Sequence, residues 1–183
     1  HFLASAEESG WEVKGGEISA EARGVAQDSN RVELKSPESF EFVEERFSVV
    51  TLWHVLEHLP DLNKNLETFY KTLKSGGKLV IAVPNHESYD SRKYGNRWAA
   101  LDLPLHLWHF KKKNIADLAK KHGFKLMEVN NMPFDSFYVS LLSERIGDKK
   151  GNPLKAFMNG LVSNMKGKSD KNMSSLIYVL EKP

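Results

Sequence analysis

The sequence contains no cysteine. That excludes disulfides, a thiolate metal site and a cysteine nucleophile, so any chemistry rests on oxygen and nitrogen side chains. Charge of one sign is also scarce: 26 Lys and Arg face 24 Asp and Glu, a formal net charge of +2. Such balance gives no support for a general nucleic-acid binder. No long apolar run occurs either. Stretches such as Leu79–Val83 fall far short of the roughly 20 residues that cross a bilayer, so neither nucleic acid nor a membrane is an expected partner. Internal repeats and low-complexity tracts are missing. What is present is ordinary for a folded protein: 183 residues, 40% hydrophobic and 27% charged. That is too apolar for disorder and about one domain in length. A cytoplasmic location is the expectation.

The pattern of residues places the elements. Phe2–Ser9 reads as a helix, apolar at Phe2, Leu3 and Ala6 and stopped by Gly10. Trp11–Gly15 is briefly extended, and Ser19 is placed to cap a helix over Ala20–Gln27. Arg31–Leu34 is a weak strand before the break Ser36-Pro37-Glu38-Ser39. Phe47–Trp53 (FSVVTLW) is β-branched and aromatic, the signature of a buried strand. Leu62–Leu73 sets its apolar residues on one helical face, with Gly76-Gly77 as its stop. Lys78–Val83 is the clearest buried strand, ended by Pro84-Asn85. Residues 86–110 read as a long aromatic loop, Ile115–His122 as a helix and Phe124–Val129 as a strand. Residues 134–173 are helical in part, and Leu176–Leu180 is a last strand. This alternation predicts an α/β protein, a mostly parallel sheet with helices on both faces. Ligands of such sheets bind beyond the carboxyl ends of the strands. The positions to weigh are therefore Glu17, the 36–39 break, Trp53-His54 and Pro84-Asn85.

Three stretches together carry a resemblance: GWEVKGGEIS (Gly10–Ser19), FSVVTLWHVLEHLPDLNKNLETFYKTLKSGGKLVIAVPN (Phe47–Asn85) and LPLHLWHF (Leu103–Phe110). They resemble the class I S-adenosylmethionine-dependent methyltransferases, in the small-molecule branch that includes the ubiquinone-type O-methyltransferases. The resemblance covers most of residues 1–130, and PFDSFYVSLLSE and SSLIYVLEKP suit the same family's last helix and strand. It implies a Rossmann-like fold, with residues 1–183 as a single methyltransferase domain and 86–110 and 134–173 as substrate-side insertions. The implied activity is methyl transfer from S-adenosylmethionine to a small-molecule acceptor. The family's first strand and Gly-rich loop would lie just before His1, since HFLASAEESGW matches the helix that follows that loop. The expectation is thus an N-terminally truncated class I fold, with cofactor binding a property of the intact parent protein.

The same resemblance distributes roles. Glu17 would end the second strand and hold the ribose hydroxyls, because an ionised carboxylate offers two oxygens to two adjacent donors. Ile18 would pack on the adenine face. Ser36, Pro37 or Glu38 would lie near the adenine amino group, and Trp53 and His54 against the methionine portion. Each has a plainer reading: a solvated Glu before a capped helix, an ordinary turn, a Trp closing a core strand. Glu57 and His58, in the LEH turn, are expected to bond to backbone. Within 86–110 the polar chemistry lies on Tyr89, Arg92, Tyr94, Arg97, Trp98, His106 and His109. His106 or His109 could serve as general base, since imidazole titrates near neutral pH; the alternative is a packed HLWHF cluster. His54-Val55-Leu56-Glu57-His58 also spells H-x-x-E-H, a zinc-hydrolase signature. His54 follows a strand directly, however, and Pro60 cuts any helix short, so no metal is expected. A non-catalytic methyltransferase-like binding module is the remaining class of reading.

Overall fold

Two units make up the chain, His1–Phe42 and Val43–Pro183. The computed structural model describes residues 1–30, 33–37, 43–147 and 150–183. In the first unit, helix α1 (Phe2–Glu8) precedes strand β1 (Gly15–Gly16), helix α2 (Ala20–Asn30) and strand β2 (Leu34–Lys35). β1 and β2 pair in parallel, Gly15 opposite Leu34. A Cβ at Gly15 would collide with the side chains of Leu3 and Leu34, so only glycine lets α1 and β2 meet over the strand. Ser19 caps α2 as expected, its Oγ accepting from Ala22 N at 3.2 Å. The extended stretch 11–15 is shorter than expected: ladder bonds start only at Gly15, and Trp11 stays half exposed. Arg31, Val32, Glu38 and Ser39 lie outside the described residues.

The second unit runs β3 (Phe47–Trp53), α3 (Leu62–Thr72), β4 (Leu73–Pro84), α4 (Tyr89–Tyr94), α5 (Lys112–Lys121), β5 (Lys125–Asn131), α6 (Asp135–Gly147), α7 (Pro153–Gly167) and β6 (Ser175–Glu181). Its four strands are ordered β3-β4-β6-β5. β3 and β4 are parallel, while β6 is antiparallel to both neighbours. The sheet is therefore mostly parallel, as the alternation of elements predicts, with β6 alone of its four strands reversed. A short apolar run has the same composition in either direction, so the sequence carries no signal for which strand is the reversed one. The core is filled by Leu52 of β3, Leu79 and Ile81 of β4, Tyr178 of β6, Leu66 of α3 and Ile115 of α5. Among the described residues no helix is long and apolar enough to cross a membrane.

Two expectations need correction. Helix α3 does not run on to Gly76-Gly77: it stops at Thr72, and Leu73 already has extended backbone (φ −76°, ψ 140°). The glycines instead lie in a bulge of β4, where the register jumps from Phe47 opposite Leu73 to Val49 opposite Lys78. Gly76 has φ +75°, and a Cβ on Gly77 would stand 2.8 Å from Lys74 O, so the bulge needs both. Nor is 86–110 simply a loop. It holds α4 and two short 3-10 turns, Gly95–Arg97 and Ala99–Leu101, and is closed by a bridge between Asn85 and Phe110.

What orders this segment is a buried carboxylate. Asp90 is fully buried and accepts from Trp98 Nε1 at 2.8 Å, Ser163 Oγ at 2.7 Å and Ser174 Oγ at 2.7 Å. One side chain thereby ties α4 to the following turn, to α7 and to the start of β6. Helices α6 and α7 pack closely beside it, with Gly160 so near Phe137 that a Cβ would stand 3.0 Å from its Cα. Asp90→Ala leaves three buried donors without an acceptor and is expected to cost about 3 kcal/mol. Urea unfolding at constant m-value checks this; a loss below about 1 kcal/mol would show that the network does not hold the segment.

Candidate active site

Of the predicted site residues, Glu17, Ile18, Ser36 and Pro37 belong to the first unit and Trp53, His54, His106 and His109 to the second. Glu17 directly follows β1, and its N–H donates to Lys35 O at 3.0 Å, which brings it beside the Ser36-Pro37 turn. Its Oε1 accepts from Ser19 N at 2.9 Å, so the helix N-terminus orients the carboxylate. Arg23 Nη1 holds the backbone from below, donating to Glu17 O at 2.6 Å and Ile18 O at 2.8 Å. Ile18 is 80% exposed, an apolar side chain offered to solvent. A half-buried carboxylate beside an exposed apolar residue is a fitting receptor for vicinal hydroxyls and a flat ring. Glu38 lies outside the described residues.

In the second unit the chain leaves β3 through a strained residue. His54 continues the ladder by one bond, its N–H donating to Ala82 O at 3.0 Å, but its φ is +52°. For a residue with a Cβ this conformation costs energy and clusters at functional sites. The strain swings the imidazole back, and Nδ1 donates to Glu57 Oε1 at 3.2 Å. Bonding to Glu57 raises the His54 pKa above its ordinary value; burial opposes, and the charge of Asp135 adds to the rise. Trp53 is 37% exposed, so it does not close the core as the plain reading had it.

Residues 56–58 form a 3-10 turn, not the sustained helix that H-x-x-E-H needs. His54 and His58 share no helix face. The turn is instead fastened to the loop that follows α4. Leu107 and Trp108 N–H both donate to Glu57 O, at 2.9 and 3.3 Å; Trp108 Nε1 donates to Leu59 O at 2.8 Å. His58 bonds to backbone as expected, Nδ1 to Leu105 O at 3.1 Å. The Glu57 side chain does not: fully buried, it bonds to His54, and its Oε2 has no partner.

His106 and His109 are held alike. His106 Nδ1 donates to Ala100 O and His109 Nε2 to Leu101 O, both at 2.9 Å. A carbonyl can only accept, so each ring keeps its proton there and offers a lone pair on the other nitrogen. His106 stacks edge-on to His58 at 4.6 Å between centroids and lies 6.4 Å from His109. His109 also lines a surface groove of about 390 Å³ with Trp108, Leu62, Asn114 and Lys121. The structure thus brings His54, Glu57, His58, His106 and His109 into one neighbourhood. Sequence reasoning missed His86, 5.7 Å from His109, and Asp135 near His54, because neither carries a motif.

The fold is the class I methyltransferase fold, α/β and Rossmann-like. A family model described as a methyltransferase domain matches residues 1–129, and the chain belongs to that family. Over 148 residues it is 28% identical to phosphoethanolamine N-methyltransferase 2 of Caenorhabditis elegans, covering 76% of this chain and 33% of that protein. It thus spans about a third of the length of that curated relative. Among solved structures, the [4+2]-cyclase SpnF superposes with a TM-score of 0.65 at 18% identity, covering all of this chain and 70% of that one. Phosphoethanolamine N-methyltransferase 2 of Haemonchus contortus, in complex with S-adenosylmethionine, gives 0.56 at 24% identity, covering 98% of this chain and 45% of that one.

His86 supplies a pH test. Its Nδ1 is buried without a partner, and its pKa lies below the ordinary 6.5, chiefly from burial, then from the charges of His109 and Lys111, with Glu87 opposing. A lowered imidazole pKa contributes stability that is present above 6.5 and is lost as pH falls through the folded value. His86→Gln is therefore expected to show a smaller drop in melting temperature between neutral and mildly acidic buffer than the unaltered protein. Equal drops would remove His86 from the pH response.

Proposed function

We propose that the intact protein transfers a methyl group from S-adenosylmethionine to a small-molecule acceptor in the cytoplasm. Family membership over residues 1–129 carries this reading. In it Glu17 holds the ribose hydroxyls, Ile18 covers the adenine, Ser36 and Pro37 approach its amino edge, and Trp53 and His54 bound the methionine portion. The orientation of the Glu17 carboxylate by Ser19 N and the exposure of Ile18 support the first two roles. Bound S-adenosylmethionine supplies an electrophilic methyl group. The chain's share is to align the acceptor with it and to take the proton that a hydroxyl or ammonium acceptor must lose. The lone pair of His106 or His109 suits that task, since each ring is fixed by a carbonyl on its other nitrogen.

Residues 1–183 act in this reading as one methyltransferase domain, with acceptor choice made by 86–110 and 134–173. A nitrogen acceptor is the second reading, favoured by the likeness to a phosphoethanolamine N-methyltransferase. Titration calorimetry of the full-length protein with S-adenosylhomocysteine is expected to give micromolar binding. Glu17→Ala should weaken it by about tenfold, from the loss of charge-assisted bonds. Unchanged affinity would remove Glu17 from the site. Absence of binding would remove the methyl-transfer reading, and binding without turnover on any hydroxyl or amine acceptor would favour a binding module.

A further inference from the structure

Glu57, His58 and His106 present a second kind of chemistry. One carboxylate oxygen and one nitrogen from each ring lie within 4.8 Å of one another. The three come from two places in the chain: the 3-10 turn after β3, and the loop after α4 that is pinned to it through Glu57 O. Each donor atom is prepared. His58 Nδ1 bonds to Leu105 O and His106 Nδ1 to Ala100 O, so both protons are assigned to Nδ1 and both lone pairs to Nε2. Backbone carbonyls behind the rings are the support that ligating histidines generally have. Behind the carboxylate stands His54, bonded to Oε1. The other oxygen, Oε2, is buried and has no donor, although Glu57 has no exposed surface at all. A buried carboxylate oxygen without a donor is costly, and a cation would satisfy it.

We propose that Glu57, His58 and His106 form a site for a divalent cation of the zinc class. Two imidazoles and one carboxylate are a borderline donor set, suited to Zn²⁺ or Co²⁺ rather than to Mg²⁺ or Ca²⁺. Three protein ligands leave a fourth position open to water or to a substrate oxygen. Ligands at about 2.0–2.2 Å in tetrahedral array stand roughly 3.4 Å apart, so the donors must draw together from their present spread. This is not the H-x-x-E-H arrangement: His54 supports the carboxylate from outside, and the third ligand lies in the loop, far along the chain. It revises the expectation that no metal is held here. With the His106 lone pair on the cation, His109 remains as the general base of the proposed transfer.

The test uses the metal alone. Full-length protein, stripped with chelator, is titrated with Co²⁺ and then with Zn²⁺. The expected result is one equivalent bound, intense visible d–d bands, their loss on Zn²⁺ addition, and a raised melting temperature. His106→Ala and His106→Gln should each weaken binding by about a hundredfold or more, since even supporting partners of metal ligands are worth 10–100-fold. Glu57→Gln should do the same, and circular dichroism verifies that each variant is folded. His122→Ala, at an imidazole bonded to Asn63, should bind as the unaltered protein does. No cobalt spectrum, or a spectrum and affinity unchanged in both His106 variants, would overturn the proposal. Neither S-adenosylmethionine nor an acceptor is present, so failure here and failure of the methyl-transfer reading are distinguishable.

Discussion

The backbone carbonyl of Glu57 receives two N–H groups from the 101–110 loop, and most of the site depends on that junction. It fixes where β3 ends relative to a segment about 50 residues further on. With the carbonyl committed, the carboxylate above it is carried into the interior, where it meets His54. His54 reaches it from a backbone turned to φ +52°, so the strain at the strand end and the His54–Glu57 bond belong to one arrangement. Three independent fastenings share the load: Trp108 Nε1 on Leu59 O, His58 Nδ1 on Leu105 O, and the two bonds to Glu57 O. Several modest bonds in one place make a rigid joint where each alone would exchange with water.

Asp90 does comparable work at the other end of the loop. A carboxylate buried against Trp98, Ser163 and Ser174 makes α4, α7 and the start of β6 one body. The loop that carries His106 and His109 is thus held at both ends, by Glu57 near its exit and by Asp90 near its entry. Such support suits groups that must hold a proton or a cation in fixed geometry, since positional precision comes from the shell behind the reacting atoms.

Local pattern was enough for much of this. Phe47–Trp53 forms the strand its β-branched residues predict, and Ser19 caps the helix it precedes. The resemblance carried by Phe47–Asn85 led to the family that matches residues 1–129. Elsewhere pattern misled. Gly76-Gly77 is equally good as a helix stop or a strand bulge; Leu73 ends the helix first because its partner Phe47 is already in the sheet. Residues 86–110 looked loop-like because Asp90, the polar group that orders them, finds Ser163 and Ser174 in space rather than in sequence; the local cap of α4, Ser88 Oγ accepting from Ser91 N, was legible but passed over.

Apolar period and turn residues, then, determined by themselves the α/β class and most of the strands and helices, and the resemblance added the candidates Glu17, His54, His106 and His109. These follow from interactions within a few residues, which any reading along the chain can see. The reversal of β6, the exposure of Trp53, the burial of Glu57 and its meeting with His106 were decided only by the tertiary structure. They depend on contacts between residues far apart in sequence, and a residue's burial and bonding partners are properties of the packed chain, which no local pattern encodes.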